Sequence, residues 1–222
     1  MDISENLNNS ASFTGKIFNN LGNLILLIVL NIIPVINLIV LGYMAKIVKE
    51  SPEEPPKLSD YGKLFVDGLL VLIAIIIYAL IPIIVMGIGI FASMPTFMWG
   101  SAPSLAWSIS WIFGNTIFWL GVILLFIFLI IGTMAIGNMI RTGNFSKLFA
   151  FSENWGLIKG VGLGSYLIWL VVMFVILLIV GAIGQAVPYV GGAIVGVFYY
   201  LFFGKSLALI LDEVQGSMTE AL

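Results

Sequence analysis

Five long apolar runs, separated by short polar stretches, dominate the pattern of this chain. They extend over residues 21–45, 69–90, 113–140, 157–184 and 186–211. A helix needs about 20 residues to cross a hydrocarbon core about 30 Å thick, so each of the last four runs is long enough for one crossing. The pattern predicts an all-α membrane protein with four full transmembrane helices and a shorter apolar segment before them.

The first run, residues 21–45, contains Asn31, Pro34 and Asn37 near its middle. Proline removes a helical hydrogen bond and a buried asparagine needs a partner, so an uninterrupted helix is disfavoured here. Two structures remain: a kinked transmembrane helix, or a re-entrant hairpin of two half-length helices that turns at Pro34. We favour the hairpin, because it keeps Lys16 on the same side of the membrane as the other basic segments.

An amphipathic stretch, LSDYGKLFVDG at residues 58–68, precedes the second run. At helical spacing its two faces hold Leu58, Tyr61 and Phe65 on one side and Asp60, Lys63 and Asp67 on the other. We therefore predict a short interfacial helix on the cytoplasmic membrane surface, with Ser59 as its N-cap and a turn at Gly68 into the apolar run. The charged face is expected to be solvated.

Weaker copies of this stretch occur at residues 13–22 and 151–160, with glycine, lysine and a polar residue in a similar order. Because each copy introduces an apolar run, the chain is predicted to contain a pseudo-threefold internal repeat of interfacial helix plus apolar hairpin. We expect one transmembrane domain over residues 1–222. Its parts are a polar tail (1–12), three repeats (13–46, 58–140 and 145–211) and an acidic tail (212–222).

Composition and charge exclude a water-soluble protein. The chain is 61% hydrophobic and only 9% charged, whereas soluble domains carry about 25% charged residues. Lysine and arginine concentrate at residues 46–63 and 141–159, and the connections at 91–112 and 184–192 contain none. The positive-inside rule therefore predicts a multi-pass protein of the cell membrane whose basic loops and C terminus are cytoplasmic.

Two connections have a distinctive composition. Residues 46–56, KIVKESPEEPP, combine three prolines with clustered charges and predict a solvated linker. Residues 91–112 are uncharged and rich in tryptophan, which favours the membrane interface, so they predict an outer loop. Candidate contacts with lipid or a partner protein are the aromatic residues of this loop and of the interfacial helices: Trp99, Trp107, Trp111, Tyr61, Phe65 and Trp155.

Polar and small residues at membrane depth are the remaining candidates. The polar positions are Asn31, Asn37, Asn115, Asn138 and Gln185. They could line a solute pathway, but hydrogen bonding between helices is their more common role. The patterns Gly156-xxx-Gly160-xxx-Gly164 and Gly192-xxx-Gly196 indicate close helix packing, within the chain in preference to homodimerisation.

The chain contains no cysteine and no histidine, which removes thiolate chemistry, imidazole bases and the usual zinc ligands. It also places no charge at mid-membrane, where proton relays and many ion-coupled carriers need one. We therefore expect no catalytic residue, cofactor, metal or nucleic-acid partner. The expected function is that of a non-catalytic accessory or scaffold protein that binds membrane lipids or another membrane protein. The alternative is a transporter or channel for a neutral or apolar solute.

Several short motifs carry a family resemblance. They are Pro34, the pair Gly42-Tyr43, the charged proline-rich segment after them, and the strings LSDYG at 58–62 and FVDG at 65–68. In these residues the chain resembles the archaeal polytopic membrane-protein family catalogued as domain of unknown function 4013. The resemblance is most specific over residues 34–68. It implies a helical fold and a membrane location, and it carries no activity over to this chain.

Overall fold

A computed structural model describes residues 2–93, 105–188 and 190–220, without the side chains of 105–108, 110, 111 and 217–220. All regular secondary structure in the described part is helical. Eight helices occur in it: α1 (Ile3–Gly15), α2 (Leu21–Ile32), α3 (Leu38–Glu50), α4 (Tyr61–Ser93), α5 (Leu105–Thr142), α6 (Phe151–Val161), α7 (Leu163–Gly184) and α8 (Gly191–Glu220). Short 3-10 turns at Lys16–Asn19 and Phe145–Phe149 precede α2 and α6.

Four helical segments of the described chain are long and apolar enough to cross a membrane. They are Tyr61–Ser93, Ile112–Thr142, Leu163–Gly184 and Gly191–Gly216. The predicted all-α fold with four transmembrane helices is therefore confirmed. One boundary differs, because the chain breaks at Gly162, whose φ of +90° favours glycine. Residues 157–161 consequently belong to the short helix α6, and α7 begins after the break.

The first apolar run folds as a helical hairpin. Helices α2 and α3 are separated by a turn at residues 33–37, where Val35 has a φ of +70°. Near the other end, Asn23 Nδ2 of α2 lies 3.3 Å from the hydroxyl oxygen of Tyr43 in α3. Lys16 Nζ, before α2, donates to the carbonyl oxygen of Glu53, after α3, at 3.0 Å. Both ends of the run thus lie together, as the hairpin requires and a single kinked crossing does not allow.

One face of residues 2–12 packs into the fold, although a polar tail was predicted. Most of them belong to α1, where Asp2 caps the helix by accepting from the backbone N–H groups of Ser4 and Glu5. Asn6 and Ser10 are buried, and Asn6 Nδ2 donates to the carbonyl oxygen of Ser206 in α8 at 3.0 Å. The segments Ile3–Asn19 and Leu21–Ile32 meet at an angle of 102°.

The chain forms two compact units, Met1–Ile73 with Met134–Leu222, and Ala74–Thr133. In the first unit α8 is the central helix, since α1, α2, α3, α6 and α7 all pack against it. Trp169 of α7 is fully buried and donates its indole N–H to Ser206 Oγ of α8 at 2.7 Å. The hydroxyl of Ser206 in turn donates to Asn6 Oδ1, so one polar network joins α1, α7 and α8.

The second unit contains the described residues 74–93 of α4 and 105–133 of α5. These segments run antiparallel, because Tyr78 lies beside Gly132 and Gly89 beside Phe118. A Cβ atom at Gly89 would lie 2.4 Å from the backbone nitrogen of Phe118, so the two backbones touch there. Residues 105–112 were predicted to lie in a loop, and the structure places them in α5.

The predicted turn at Gly68 is absent, because α4 continues without a break from Tyr61 to Ser93. A glycine inside a helix costs only about 1 kcal/mol, which is small beside the packing that a long apolar helix gains. The start of the helix also differs by one residue from the prediction. Asp60, with a φ of +54°, occupies the N-cap position expected for Ser59, and its carbonyl oxygen accepts from Leu64 N at 3.0 Å. The threefold repeat stays a prediction.

The predicted linker at 46–56 is half helix and half anchored loop. Helix α3 extends to Glu50, and Ser51, in the left-handed conformation, ends it. The loop that follows supplies carbonyl acceptors to the rest of the first unit. Pro52 O accepts from Lys205 Nζ at 2.8 Å, and Pro56 O accepts from Tyr43 Oη at 2.5 Å. These bonds hold the loop against the rest of the first unit. The prolines had predicted a solvated linker here, so this part of the prediction differs from the structure.

Candidate functional site: a charged groove between three helices

An open groove of about 220 Å³ lies in the first unit, where α3 ends, α4 begins and α5 ends. We call it the α3–α4–α5 groove. Its lining residues are Ala45, Lys46, Lys49, Glu50, Ser59, Asp60, Lys63, Leu64, Asp67, Leu70, Val71, Met139, Ile140, Gly143 and Phe145. Three lysines and three acids are therefore among the residues that face one cavity. The groove is the strongest candidate site in the described part of the chain.

Two glycines set the width of the groove by bringing α3 and α4 into backbone contact. A Cβ atom at Gly42 would lie 1.8 Å from the carbonyl oxygen of Leu64, and one at Gly68 would lie 1.9 Å from that of Leu38. The helices run antiparallel through this contact. The end of α3 and the start of α4 therefore lie side by side beyond it, and α5 closes the third wall with Met139 and Ile140.

The lining of α4 forms one stripe that changes from charged to apolar. Asp60, Lys63, Asp67 and Val71 follow at three- and four-residue spacing, so they share one face of the helix. Eleven rises of 1.5 Å each separate Asp60 from Val71, so the stripe is about 16 Å long. Its charges end at Asp67, about two thirds of the way along, and Leu70 and Val71 beyond them enter the apolar run. The groove is thus polar at one end and apolar at the other.

Asp60, Lys63 and Asp67 share one face of the chain, as their spacing predicted. That face was predicted to be solvated, whereas in the structure it lines a groove. Asp67 is half-buried in the groove, and Asp60 and Lys63 line its exposed end. The periodicity of residues 58–68 did not indicate that α3 and α5 enclose this face. Lys46 and Lys49, which complete it from α3, were assigned to a linker.

Two other cations of the first unit, Arg141 and Lys205, have partners that belong to the fold. Arg141 Nη1 lies 2.7 Å from Asp212 Oδ1, and Arg141 Nη2 donates to Ala208 O at 2.9 Å. Lys205 Nζ, on the buried side of α8, donates to the carbonyl oxygens of Ser51 and Pro52. Asp212 also accepts a bond from Ser51 Oγ. These groups join α3, α5 and α8 at their charged ends.

A second polar cluster holds α6 against α5. Asn138 Nδ2 donates to Asn154 Oδ1 at 2.9 Å and to Glu153 Oε1 at 3.1 Å. Lys147 Nζ lies 2.6 Å from Glu153 Oε2. The hydrogen bond from Lys147, and then that from Asn138, lower the pKa of the Glu153 carboxyl below its usual value. Its hydrogen bonds join α5, α6 and the 3-10 turn between them, so this cluster stabilises the fold.

The predicted intramembrane polar residues have different environments. In the first unit Asn31 Nδ2 donates to Ala193 O of α8 at 2.8 Å, and Asn138 belongs to the α5–α6 cluster. Asn37 is exposed at the start of α3, and Gln185 is exposed after α7. Asn115, in the second unit, is half-buried on α5. Asn23, which the sequence did not single out, bridges α2 to the loop by accepting from Leu58 N at 3.0 Å.

The predicted aromatic contacts divide in a similar way. Tyr61 and Trp155 are exposed, while Phe65 packs against the hydrophobic core of the first unit. Trp99 lies outside the described residues, and so do the side chains of Trp107 and Trp111. Of the two predicted small-residue patterns, Gly160 packs against Val214 and Gly196 against Asn31, and the other three glycines have open space where a Cβ would lie.

The residues that the structure describes contain no group of three acidic side chains placed to hold a metal ion. Comparison with known proteins finds no match among curated proteins or solved structures. One family does match, over residues 25–189, a range that contains α3, α4, α5, and every lining residue of the groove. On that match, the chain belongs to the family described as protein of unknown function (DUF4013).

Proposed function

We propose that this multi-pass membrane protein is a non-catalytic lipid-binding protein and that the α3–α4–α5 groove is its lipid site. One observation carries the proposal: the groove is charged at one end and apolar at the other along a single stripe of α4. A lipid has the same order of chemistry from its headgroup to its chains. The charged end also adjoins the start of a membrane-length helix, which is the level of lipid headgroups.

The proposed orientation follows from the charges. The segments that hold Lys16, Glu53, Arg141 and Asp212 lie together in the first unit. We place this charged end on the cytoplasmic side of the cell membrane, because basic loops favour that side. The α2–α3 hairpin then enters the membrane from the cytoplasm without crossing it. Each arm is short for a crossing, since 12 or 13 helical residues are about 18–20 Å long.

Lipid binding accounts for the structure better than solute transport does. A transport pathway would need polar side chains that face a shared cavity at membrane depth. The side-chain amides of Asn31 and Asn138 instead donate hydrogen bonds to neighbouring helices. Their bonds to Ala193 O and to Asn154 support a structural role.

The test compares two neighbouring leucines of α4. Leu70 lines the groove and Leu69 does not, yet the two side chains are almost equally exposed, at 38% and 37%. The protein is extracted in mild detergent, washed to remove loosely held lipid, and studied by native mass spectrometry. We expect one retained lipid per chain in the wild type and in Leu69→Trp, and loss of that lipid in Leu70→Trp. A wild-type protein that retains no lipid would overturn lipid binding, and equal retention in both variants would overturn the groove as the site.

A further inference from the structure

The six charged residues of the groove are not paired with one another. Three are cations and three are anions, and among the described residues no ion pair joins any two of them. Elsewhere in the first unit, Lys16, Arg141 and Lys147 each lie within 4 Å of an acidic partner. Lys57 and Lys159, which are exposed, have no ion pair among the described residues either. Lys46, Lys49 and Lys63 differ from them because all three face one cavity.

The two signs are distributed unequally over the walls. Helix α3 supplies Lys46 and Lys49, three residues apart and therefore on one face, with Glu50 beside them. The start of α4 supplies Asp60 and Asp67, seven residues apart on one face, with Lys63 between them. The α3 wall is consequently more basic, and the α4 wall more acidic. A ligand that lies between them meets opposite charge on its two sides.

We infer that the groove takes a zwitterionic headgroup in which a phosphate ester lies a short carbon chain away from a primary ammonium group, as in phosphoethanolamine. The inference rests on the lipid-binding function proposed above and names the headgroup. Phosphate is attracted to Lys46 and Lys49, and ammonium to Asp60 and Asp67. A purely anionic headgroup would place its charge beside three carboxylates, and a purely cationic one beside three lysines. Like charges at such distances disfavour both.

The lining also distinguishes a primary from a quaternary ammonium group. Proteins recognise quaternary ammonium with several aromatic rings around it. Among the lining residues Phe145 is the one aromatic, whereas carboxylates are abundant. Carboxylates accept the hydrogen bonds that a primary ammonium donates and a quaternary one lacks. Ethanolamine is therefore preferred over choline.

The apolar end of the groove assigns the headgroup to a lipid. Leu70 supplies the exposed apolar surface of the cavity beyond the charges, and Val71, Met139 and Ile140, which are almost fully buried, lie beneath it. A free phosphoethanolamine ion would leave this part of the groove unused, whereas the glycerol and first methylenes of a lipid would fill it. Apolar contact of this kind is favourable by about 25 cal/mol for each Å² removed from water.

The experiment measures headgroup preference by native mass spectrometry. Delipidated protein in detergent is titrated with phosphatidylethanolamine, phosphatidylcholine and phosphatidylglycerol that carry identical acyl chains. We expect phosphatidylethanolamine to bind about tenfold more tightly than the other two, the ratio that one charge-assisted contact supplies. Equal binding of all three would overturn the headgroup assignment and leave lipid binding intact. Absence of binding by any of them would overturn the proposed function itself.

Charge variants test the headgroup assignment more strictly, because one of them should reverse the preference between phosphatidylethanolamine and phosphatidylglycerol. In the double variant Asp60→Asn with Asp67→Asn, three lysines face a single carboxylate, so phosphatidylglycerol should become the preferred lipid. Damage to the fold would weaken all lipids together and would not produce that reversal. The variant Lys46→Gln with Lys49→Gln should weaken phosphatidylethanolamine and phosphatidylglycerol alike. Lys57→Gln is the matched control, since Lys57 is exposed and does not line the groove.

A competition arm distinguishes the two sources of the headgroup. Free O-phosphoethanolamine is added to protein that holds phosphatidylethanolamine. Retention of the lipid at millimolar competitor supports a membrane lipid as the ligand. Complete displacement at the same concentration as the lipid would assign the groove to a soluble zwitterion and overturn the lipid source.

Discussion

Gly42 and Gly68 face each other where α3 crosses α4, and the Cβ position of Gly68 lies only 2.8 Å from the backbone nitrogen of Gly42. Neither helix has room for a methyl group, because the nearest atoms on both sides belong to backbone. This contact holds the two walls of the groove at a fixed separation. The distance between the charged side chains of α3 and those of α4, such as Lys46 and Asp67, therefore depends on two glycines.

Alanine at either glycine should destabilise the protein. The added methyl group would meet a carbonyl oxygen below 2 Å, so the helices must separate, and such overpacking costs about 1–3 kcal/mol or more. We expect Gly42→Ala and Gly68→Ala each to lower the midpoint of thermal unfolding in detergent. Gly62→Ala is the control, since nothing lies within 4 Å of its Cβ position and alanine gains up to about 1 kcal/mol in a helix. Unchanged midpoints in the first two variants would refute the close contact.

Lys205 is predicted to stabilise the fold through the end of α3. Its Nζ donates to Pro52 O at 2.8 Å and Ser51 O at 3.2 Å, and it lies 5.5 Å from the centre of the Phe13 ring. Lys205→Met keeps the apolar stem but leaves these carbonyls without their donor, which should cost about 1–3 kcal/mol. Thermal unfolding in detergent measures the loss. Lys159→Met, at an exposed position, should change stability little, and an equal effect of the two variants would contradict the proposed role.

The architecture followed from the sequence because membrane helices are constrained by length. An apolar run long enough to span the hydrocarbon core leaves few alternatives, since backbone groups must be satisfied within the helix. Asn31, Pro34 and Asn37 disfavoured an uninterrupted helix over residues 21–45, and the position of Lys16 then favoured the hairpin over a kinked crossing. The start of α4 was predicted to within one residue, because the residues that can cap a helix are recognisable in the local sequence.

The groove could not be predicted, because one of its walls, α5, lies far along the chain from the other two, α3 and α4. The spacing of Asp60, Lys63 and Asp67 defines a shared helical face but does not say what lies opposite. That depends on the backbone contact at Gly42, which no periodicity reveals. The packing of α1 was not predicted either, because Asn6 is a typical surface residue and its partner, Ser206, lies at the other end of the chain.

Glu153 should make stability dependent on pH in the acid range. Lys147 and Asn138 lower the pKa of its carboxyl in the folded protein, so the charged form stabilises the fold. This contribution is complete above the unfolded-state pKa near 4.5 and is lost as the pH falls through the lower folded-state pKa. We expect Glu153→Gln to unfold at a lower temperature than the wild type at pH 7, and the difference to shrink below pH 4.5.

The partner variant Lys147→Met is the matched comparison for Glu153. It removes the first cause of the lowered pKa, so its unfolding midpoint should also fall at pH 7 and converge with that of the wild type in acid. A difference between wild type and Glu153→Gln that stays constant from pH 7 to pH 4 would show that the carboxylate charge contributes nothing.

The hairpin requires that the N terminus and the basic loop after α5 lie on one side of the membrane. The chain has no cysteine, so each variant carries a single thiol for labelling. Ser12 and Ser146 are exposed near the charged end, and Ala186 is exposed between α7 and α8. In intact cells, an impermeant maleimide should label Ala186→Cys and spare Ser12→Cys and Ser146→Cys until the membrane is opened. Labelling of Ser12→Cys but not Ser146→Cys from outside would require residues 21–45 to cross the membrane. Because the bond between Lys16 and Glu53 O joins the two ends of that run, such a result would contradict the hairpin itself.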